Sequence, residues 1–480
     1  MPPGAPEPVA ASTAHLFPEE FPQKKQLLFW GLLFGSAALR AYHLGQGFWY
    51  DEIASLVLFF RAPWWDLVSQ MPNPNHHPLY SLMAKSFLVV FGEKEWALRI
   101  PAFLLGSLTP PFLYLFGARW FGNRAGFLAG AMLAVAMWPV SFSQQARAYS
   151  AMILFTLVAT DRWLILADRF SKRNAAVYLV AAVAAVYSHL YSIPVIAAQA
   201  GCALFLLKHR DTRRAGFRLL VLAAVTSVTM LLLYAPMVSG LYAYAQTQGI
   251  RVGKFYPFSP AFVLDMFRAW SSGESHPMRS GLVLVPAALG LAVGGRRNPL
   301  FTASWILALV IGMLVPAVTR TFTFHRYYAF ALPGFYLFAA LGLDLISMRL
   351  KSSRGLYSVL AALLILIMAA RLIPYYRYGL QGLRPAAEWI RQHRPNAGVL
   401  AVGTVSDAFR YYFPSARPMD QGLIPTVPRG AVVVMSYPST MPKQDLEFLA
   451  ERCQPPQVFP SALGEDLVVR VYTCDTVLGK

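Results

Sequence analysis

The sequence predicts a polytopic α-helical membrane protein of about eleven spans, with external interfacial helices and a C-terminal extracytoplasmic α/β domain. Three observations predict it. Apolar runs of spanning length recur along the 480 residues, among them "SVLAALLILIMAA" and "ASWILALVIGMLVPAV", and a span needs roughly 20 mainly apolar residues. Charged residues make up 14% of the chain against 56% hydrophobic, where a soluble domain carries about 25% charged. After residue 374 the long apolar runs give way to short alternating segments.

The apolar runs place spans near 27–44, 97–117, 125–142, 150–168, 175–190, 192–208, 217–236, 279–295, 299–318, 328–348 and 355–373. A helix satisfies its backbone groups internally, as the bilayer requires. Basic clusters fall between the spans at "QKK", "ARWFGNR", "DRFSKRN", "KHRDTRRAGFR", "GGRRNP" and "MRLKSSRG", whereas "SQQARAYS" and "SHLYS" hold one arginine between them. Placing the clusters inside puts the N-terminus in the cytoplasm and the C-terminus outside, and the plasma (inner) membrane is the expected location. The net charge of +19, from 42 basic and 23 acidic residues, then reads as attraction to anionic membrane lipids. Nucleic acid is not expected as a partner, because the basic residues sit in short clusters between apolar runs.

Residues 1–26 form a Pro-rich, polar tail without a cleavage site, so the first span is expected to act as an uncleaved anchor. Residues 27–374 form the transmembrane domain, whose first external loop runs from 45 to 96. Within that loop "HPLYSLMAKSFLVVFG" is short and carries Lys85, and it reads as a helix lying along the outer surface. "IASLVLFFRAPWWDLVSQM" reads as a second. In the outer domain, 375–480, "AAEWIRQHRP" reads as an amphipathic helix, and "GVLAVGT", "GAVVVMSYP" and "EDLVVRVYTC" as strands. The three cysteines include no CxxC, which argues against a thiolate metal site. Cys453 and Cys474 both fall in the outer domain, where an oxidising compartment permits a bridge whose geometry the sequence leaves open.

The predicted topology sends a set of polar residues to one membrane face: Asp51, Glu52, His76, His77, Lys85, Gln144, Gln145, Arg147, Tyr149, His189, Tyr191, Arg320, His325, Arg326, Tyr327 and Tyr328. Ionisable groups at membrane depth are costly, so their convergence points to function. Each has a plainer reading. Asp51 and Glu52 suit the N-terminus of "IASLVLFF" through the helix dipole. "HHPLY" suits a helix start, with Pro78 in the first turn. Arg147 and Arg326 suit snorkelling helix ends, and the tyrosines an interfacial belt.

The chain resembles the GT-C-fold membrane glycosyltransferases, in the branch that holds protein O-mannosyltransferases and lipid A aminoarabinose transferases. The resemblance covers residues 27–373. It rests on "FWYDEIAS" after the first span, "HHPLYSLMAKSFLVVFGEKEWALRIPAFLLG", "SQQARAYS" and "HRYYAFALPGFYLF", in that order and spacing. It implies a polyprenyl-phosphate-linked sugar as donor, transfer at the extracytoplasmic face and an essential acid in the first external loop, which maps onto Asp51 with Glu52 beside it. One departure stands out. Where the second external turn often carries an acid, this chain has Gln144 and Gln145. A divalent cation such as Mg or Mn would therefore find Asp51 as its one candidate ligand.

The chemistry fits such a donor. A hydroxyl becomes a good nucleophile when a positioned carboxylate takes its proton. A lipid phosphate leaves readily, so hydrogen bonds or positive charge must meet it. Lys85, Arg147, Arg320, His325 and Arg326 are the candidates for the donor phosphate, with arginine favoured by its planar fork. Tyr50, His76, His77, Tyr149, His189 and Tyr327 are candidates to line the substrate site, while Trp49, Trp64 and Trp65 read as packing or interface anchors. A single displacement with inversion is the simplest scheme. The acceptor, a lipid, protein or glycan, is not named by the sequence. The rival is a transporter or flippase of lipid-linked sugars, kept open by Asp161 and Arg162 inside a predicted span.

Overall fold

The computed structural model describes residues 22–73, 75–248, 259–271, 277–319, 323–350 and 354–474. Helix α1, Gln23–Ala41, leads into the first long loop. There α2, Tyr50–Ser55, runs into a π-helical turn over Leu56–Phe60, followed by α3, Asp66–Ser69, and α4, Pro78–Phe91. The predicted helix over 53–71 is broken between Arg61 and Trp65, because Pro63 disfavours helical backbone at the residue before it. Helix α4 has 14 residues, about 21 Å at 1.5 Å per residue, short of a bilayer core of roughly 30 Å.

The bundle continues with α5 (Glu95–Trp120), α6 (Asn123–Val135), α7 (Met137–Ser143), α8 (Tyr149–Asp168), α9 (Lys172–Ser188), α10 (Ile193–Leu206), α11 (Arg213–Tyr234), α12 (Val238–Gln248) and α13 (Pro260–Trp270). Helices α14 (Pro277–Arg297), α15 (Pro299–Thr319) and α16 (Leu332–Arg349) follow, the last preceded by a 3-10 segment over His325–Ala331, and then α17 (Arg354–Ala369) and α18 (Leu372–Tyr378). Each of the eleven expected spans falls on a helix or a helix pair. Among the described residues seven helical stretches are long and apolar enough to cross a membrane, or eight if the bent pair α6–α7 is one span. Helices α9 and α10, with 17 and 14 residues, are shorter. The chain is an integral membrane protein.

Two packing features set the bundle. Helices α14 and α16 touch backbone to backbone. A Cβ on Gly290 would stand 1.7 Å from the Phe338 carbonyl oxygen, and one on Gly342 1.8 Å from that of Pro286, so only glycine permits the approach. Helices α6 and α7 bend by 61° at Ala136, which frees carbonyls at the end of α6. Arg40, buried at the end of α1, meets them: its guanidinium donates to Ala134 at 3.0 Å and Leu133 at 3.3 Å, and its Nε to Ser143 Oγ at 3.0 Å. Asp161 and Arg162, which the sequence left open to a transport role, lie in an ion cluster near the helix ends. Arg119 of α5 donates to both Asp161 oxygens at 2.7 Å, Trp120 to one at 3.1 Å, and Arg162 pairs with Asp161 at 2.8 Å and bonds Asn174 of α9 at 3.1 Å.

The C-terminal region holds α19 (Leu383–His393), α20 (Ser406–Tyr412) and α21 (Lys443–Arg452) around a five-stranded sheet. Its strands are β1 (Val399–Val402), β2 (Arg417–Met419), β3 (Val432–Met435), β4 (Gln457–Phe459) and β5 (Val469–Thr473), in the order β2-β1-β3-β5-β4. Strands β1, β2 and β3 run parallel; β5 is antiparallel to β3 and β4. The three expected strands are β1, β3 and β5, and the short β2 and β4 have too few residues for a visible alternation. The structure joins Cys453 to Cys474 in a disulfide, and Cys202 is a buried free thiol.

This sheet region packs against the loop after α1. Phe48, Ile53 and Leu56 of the loop share one core with Leu383, Ala387, Phe409 and Val432. Phe48 N–H donates to the Tyr412 hydroxyl at 2.5 Å, and Tyr50 N–H to Gln381 Oε1 at 3.0 Å.

Candidate active site

Helix α2 carries Asp51 in its first turn, where the dipole favours an acid. The next residue, Glu52, turns away from it. Its carboxylate is fully buried and forked by Arg99 of α5, with Nη2 to Oε2 at 2.7 Å and Nε to Oε1 at 2.8 Å. It also accepts from Ala146 N–H at 2.6 Å and from Trp49 N–H at 3.3 Å. Arg99 donates further to the carbonyls of Leu44, Gln46 and Gly47. Glu52 and Arg99 therefore tie the loop after α1 to the turn between α7 and α8. The two adjacent acids, expected as a catalytic pair, have separate environments, since successive helical residues point about 100° apart.

Asp51 faces Arg326. Its Oδ2 lies 3.1 Å from Arg326 Nη2, with side chains 13% and 20% exposed. The guanidinium sits 4.3 Å above the Phe324 ring and 5.5 Å from that of Trp49, a cation–π arrangement suited to a partly desolvated charge. Arg147, from the turn between α7 and α8, donates to Ser55 Oγ at 2.7 Å, and Ser55 donates to the Asp51 carbonyl at 2.8 Å. That serine links the backbone of α2 to the second arginine.

An aromatic and imidazole wall adjoins the two arginines. His77 stacks on His189 at 4.6 Å. Tyr149 lies 5.4 Å and Tyr327 5.8 Å from His189, and Tyr191 lies 4.8 Å from Tyr327. His189 Nδ1 accepts from Tyr191 N–H at 3.2 Å, leaving Nε2 as the other position. Burial holds the histidines neutral. It pushes His189 down to about 3, with Arg147 and Arg326 adding to the effect. It pushes His77 well below the ordinary range, again helped by Arg147, and His76, stacked on Phe59 at 4.5 Å, down to about 4.

Apart from the ion-paired Asp51 carboxylate, several buried polar atoms in this region have no hydrogen-bond partner in the protein: Arg147 Nε, Tyr149 Oη, His77 Nε2, His189 Nε2 and Arg326 Nε. Buried polar atoms normally have partners. Five of them beside the Asp51–Arg326 pair and Arg147 mark a place built to receive a polar, anionic group.

Other expected site residues lie elsewhere. Lys85 is held by the carbonyls of Ala62 at 2.5 Å and Phe60 at 3.3 Å and sits over the Trp64 ring, so it closes the π turn of the external loop. His325 packs on Phe262 of α13 at 4.7 Å. Tyr328 accepts from Thr323 at 3.1 Å within the bundle core. Tyr50 borders the cluster, its ring edge-on to Tyr437 of the sheet region at 6.3 Å. Gln144 donates to the carbonyls of Arg40 and Tyr42, tying the turn between α7 and α8 to the end of α1. Arg320 lies outside the described residues. Among the described residues no three His, Cys, Asp or Glu gather as a metal-ligand set, and Asp51 faces a guanidinium.

Sequence reasoning missed Arg99, Ser55, Gln381 and Tyr437. An arginine near the start of the apolar run "ALRIPAFLLG" was the available signal for Arg99, because a charge there needs a partner. Nothing local marks the other three.

The bent helical bundle with an α/β region packed over its loops has the GT-C fold, which it shares with solved structures. Residues 75–239, about a third of the chain, match the family model described as dolichyl-phosphate-mannose-protein mannosyltransferase. The crystal structure of ArnT from Cupriavidus metallidurans in the apo state superposes with a TM-score of 0.56 at 15% identity, over 95% of this chain and 99% of that one. The same protein bound to undecaprenyl phosphate gives 0.54 at 15% identity, with the same coverage. The archaeal oligosaccharyltransferase AglB from Archaeoglobus fulgidus, in complex with an inhibitory peptide and a dolichol-phosphate, gives 0.50 at 12% identity, over 83% of this chain and 65% of that one. No curated protein sequence matches the chain. Within the GT-C class, the resemblance is to the protein O-mannosyltransferase and ArnT type.

Proposed function

We propose that the protein is a membrane glycosyltransferase that moves a sugar from a polyprenyl-phosphate donor to an acceptor at the extracytoplasmic face, with inversion. The observation that carries this reading is the Asp51–Arg326 ion pair set among unpartnered buried polar atoms. ArnT and AglB, whose fold the chain shares, have structures bound to undecaprenyl phosphate and in complex with a dolichol-phosphate, respectively. A donor of that kind brings a phosphate that suits Arg326 and Arg147, because charge-assisted contacts to phosphate are among the stronger hydrogen bonds.

The steps follow from the residues. The donor phosphate takes the Arg326 guanidinium, assisted by Arg147 and the Tyr149 hydroxyl. Asp51 is thereby released from its ion pair. Its carboxylate accepts the acceptor hydroxyl proton as that oxygen attacks the anomeric carbon. The bond from that carbon to the phosphate oxygen breaks, and the phosphate keeps the electron pair. His77 and His189, being neutral, offer hydrogen bonds without adding charge. Glu52 and Arg99 hold the two external segments in register and do not touch the reacting atoms.

Incubating the purified protein with a panel of polyprenyl-phosphate sugars, and measuring which lose their sugar, tests the proposal. Loss of sugar from none of them would refute it. The transporter reading is less well supported, because the charges of Asp161 and Arg162 are matched by Arg119, Trp120 and Asn174.

A further inference from the structure

Tyr437 belongs to the sheet region, yet it reaches the site. It follows β3 and stands at φ 57°, ψ 56°, in left-handed backbone. Among the described residues only His43 shares that φ sign without being glycine. A side chain is crowded there, and such positions tend to persist where function needs them.

The conformation is held from both sides. Tyr437 N–H donates to the Asp466 carbonyl at 2.7 Å. The neighbouring Ser436 hydroxyl donates to the Val468 carbonyl at 2.9 Å and accepts from Gln381 Nε2 at 3.3 Å. Gln381 in turn accepts from Tyr50 N–H at 3.0 Å. A chain of hydrogen bonds thus runs from the residue beside Asp51 to the residue beside Tyr437. The half-buried Tyr437 ring meets that of Tyr50 edge-on at 6.3 Å and 75°, and lies within electrostatic reach of Arg326. Turning the chain into Pro438 does not require a tyrosine. Glycine or asparagine would make the same turn with less crowding.

We propose that Tyr50 and Tyr437 form the acceptor subsite and that its occupant is a sugar ring, the terminal unit of a glycan or glycolipid. This rests on the transferase reading given above. Two aromatic rings set at an angle offer a rigid apolar surface for the C–H face of a pyranose, with phenolic hydroxyls at the margin for its hydroxyl groups. An extended peptide fits less well. Strand β3 is central in the sheet and paired on both sides, so the strand leading to Tyr437 has no free edge for strand addition. Tyr437 also approaches from the sheet region outside the helical bundle, whereas a polyprenyl tail must lie against the bundle in the bilayer. The ring it meets is therefore the acceptor, with a hydroxyl directed at Asp51.

The test uses the full-length enzyme with its polyprenyl-phosphate sugar, and alkyl pyranosides or a serine-containing peptide as acceptors. Tyr437→Gly and Tyr437→Asn both tolerate left-handed backbone, so their melting temperatures should match or exceed the wild type. KM for the pyranoside should rise tenfold or more in both, while donor KM stays unchanged. Tyr437→Phe keeps the ring and should stay within threefold of wild type. An unchanged acceptor KM in folded Tyr437→Gly or Tyr437→Asn overturns the inference, as does a rise in donor KM instead, or transfer to the peptide and not to pyranosides. Wild-type enzyme that consumes no donor defeats the transferase reading itself; wild-type transfer with normal variants defeats only the subsite.

Discussion

Asp51 and Arg326 face each other at 3.1 Å across 275 positions of sequence, one on the loop after α1 and the other in the 3-10 segment that precedes α16. The pair holds the candidate base against the group best suited to the donor phosphate. If Asp51 takes the acceptor proton, Asp51→Asn keeps the size and loses the proton affinity. Turnover of a polyprenyl-phosphate sugar should fall by roughly 10²–10⁴. A carboxylate serving only the helix dipole would instead cost about 0.3–1 kcal/mol of stability and leave turnover near normal. Turnover and melting temperature measured on the same preparation separate the two cases.

Arg326→Ala should weaken donor binding more than folding, because the guanidinium is exchanged between Asp51 and phosphate during the proposed step. Arg326→Lys should recover part of the affinity and not all of it, since an ammonium lacks the planar fork. Donor affinity by titration of a short-chain polyprenyl phosphate is the readout. An alanine variant that binds like the wild type would return Arg326 to the role of a snorkelling helix end.

Glu52 gives the opposite pattern. With both side chains inaccessible to solvent, Glu52 and Arg99 form a pair whose rupture leaves a buried charge unmatched. Glu52→Gln or Arg99→Met should each destabilise by about 3–5 kcal/mol, and the double variant should be less damaged than the two losses added. A Glu52→Gln protein that melts normally but has lost turnover would show that Glu52 acts in the chemistry.

These contrasts explain how far the sequence could be read. The spans were legible because long apolar runs leave little alternative to a buried helix, and β3 because "AVVVM" is a run of strand formers. Asp51 stood out because an acid amid aromatics beside a membrane is expensive. What stayed hidden depended on side-chain direction and distant partners. The letters do not show that Glu52 points at Arg99 while Asp51 points at Arg326, nor that Lys85 curls onto carbonyls of its own loop. The contribution of Tyr437 depends on the sheet region packing against the loop, which no local pattern encodes.

The basic clusters predict sidedness. A reporter fused after residue 480 should lie outside the cytoplasm, and one inserted at residue 212 inside. Protease or alkylation accessibility in intact cells reads both. Finding both on one side would refute the eleven-span topology and the extracytoplasmic placement of Asp51.

The stacked histidines predict an acid limit to stability. His77 and His189 are held neutral by burial among Arg147, Arg326 and aromatic rings, and His189 lies near 3 instead of the ordinary value near 6.5. As pH falls below about 6.5, the unfolded chain takes up protons at these positions and the folded chain does not. Stability contributed by the neutral pair is therefore complete above 6.5 and is lost progressively as pH drops towards 3. Melting temperature should fall between pH 7.5 and pH 5. The slope must be compared with that of a variant that lacks the two imidazoles. His77→Gln combined with His189→Gln removes the two titrating groups and should flatten the change over that interval. An equal fall in the double variant would mean that other groups set the acid limit and that the imidazoles are not kept neutral by the fold.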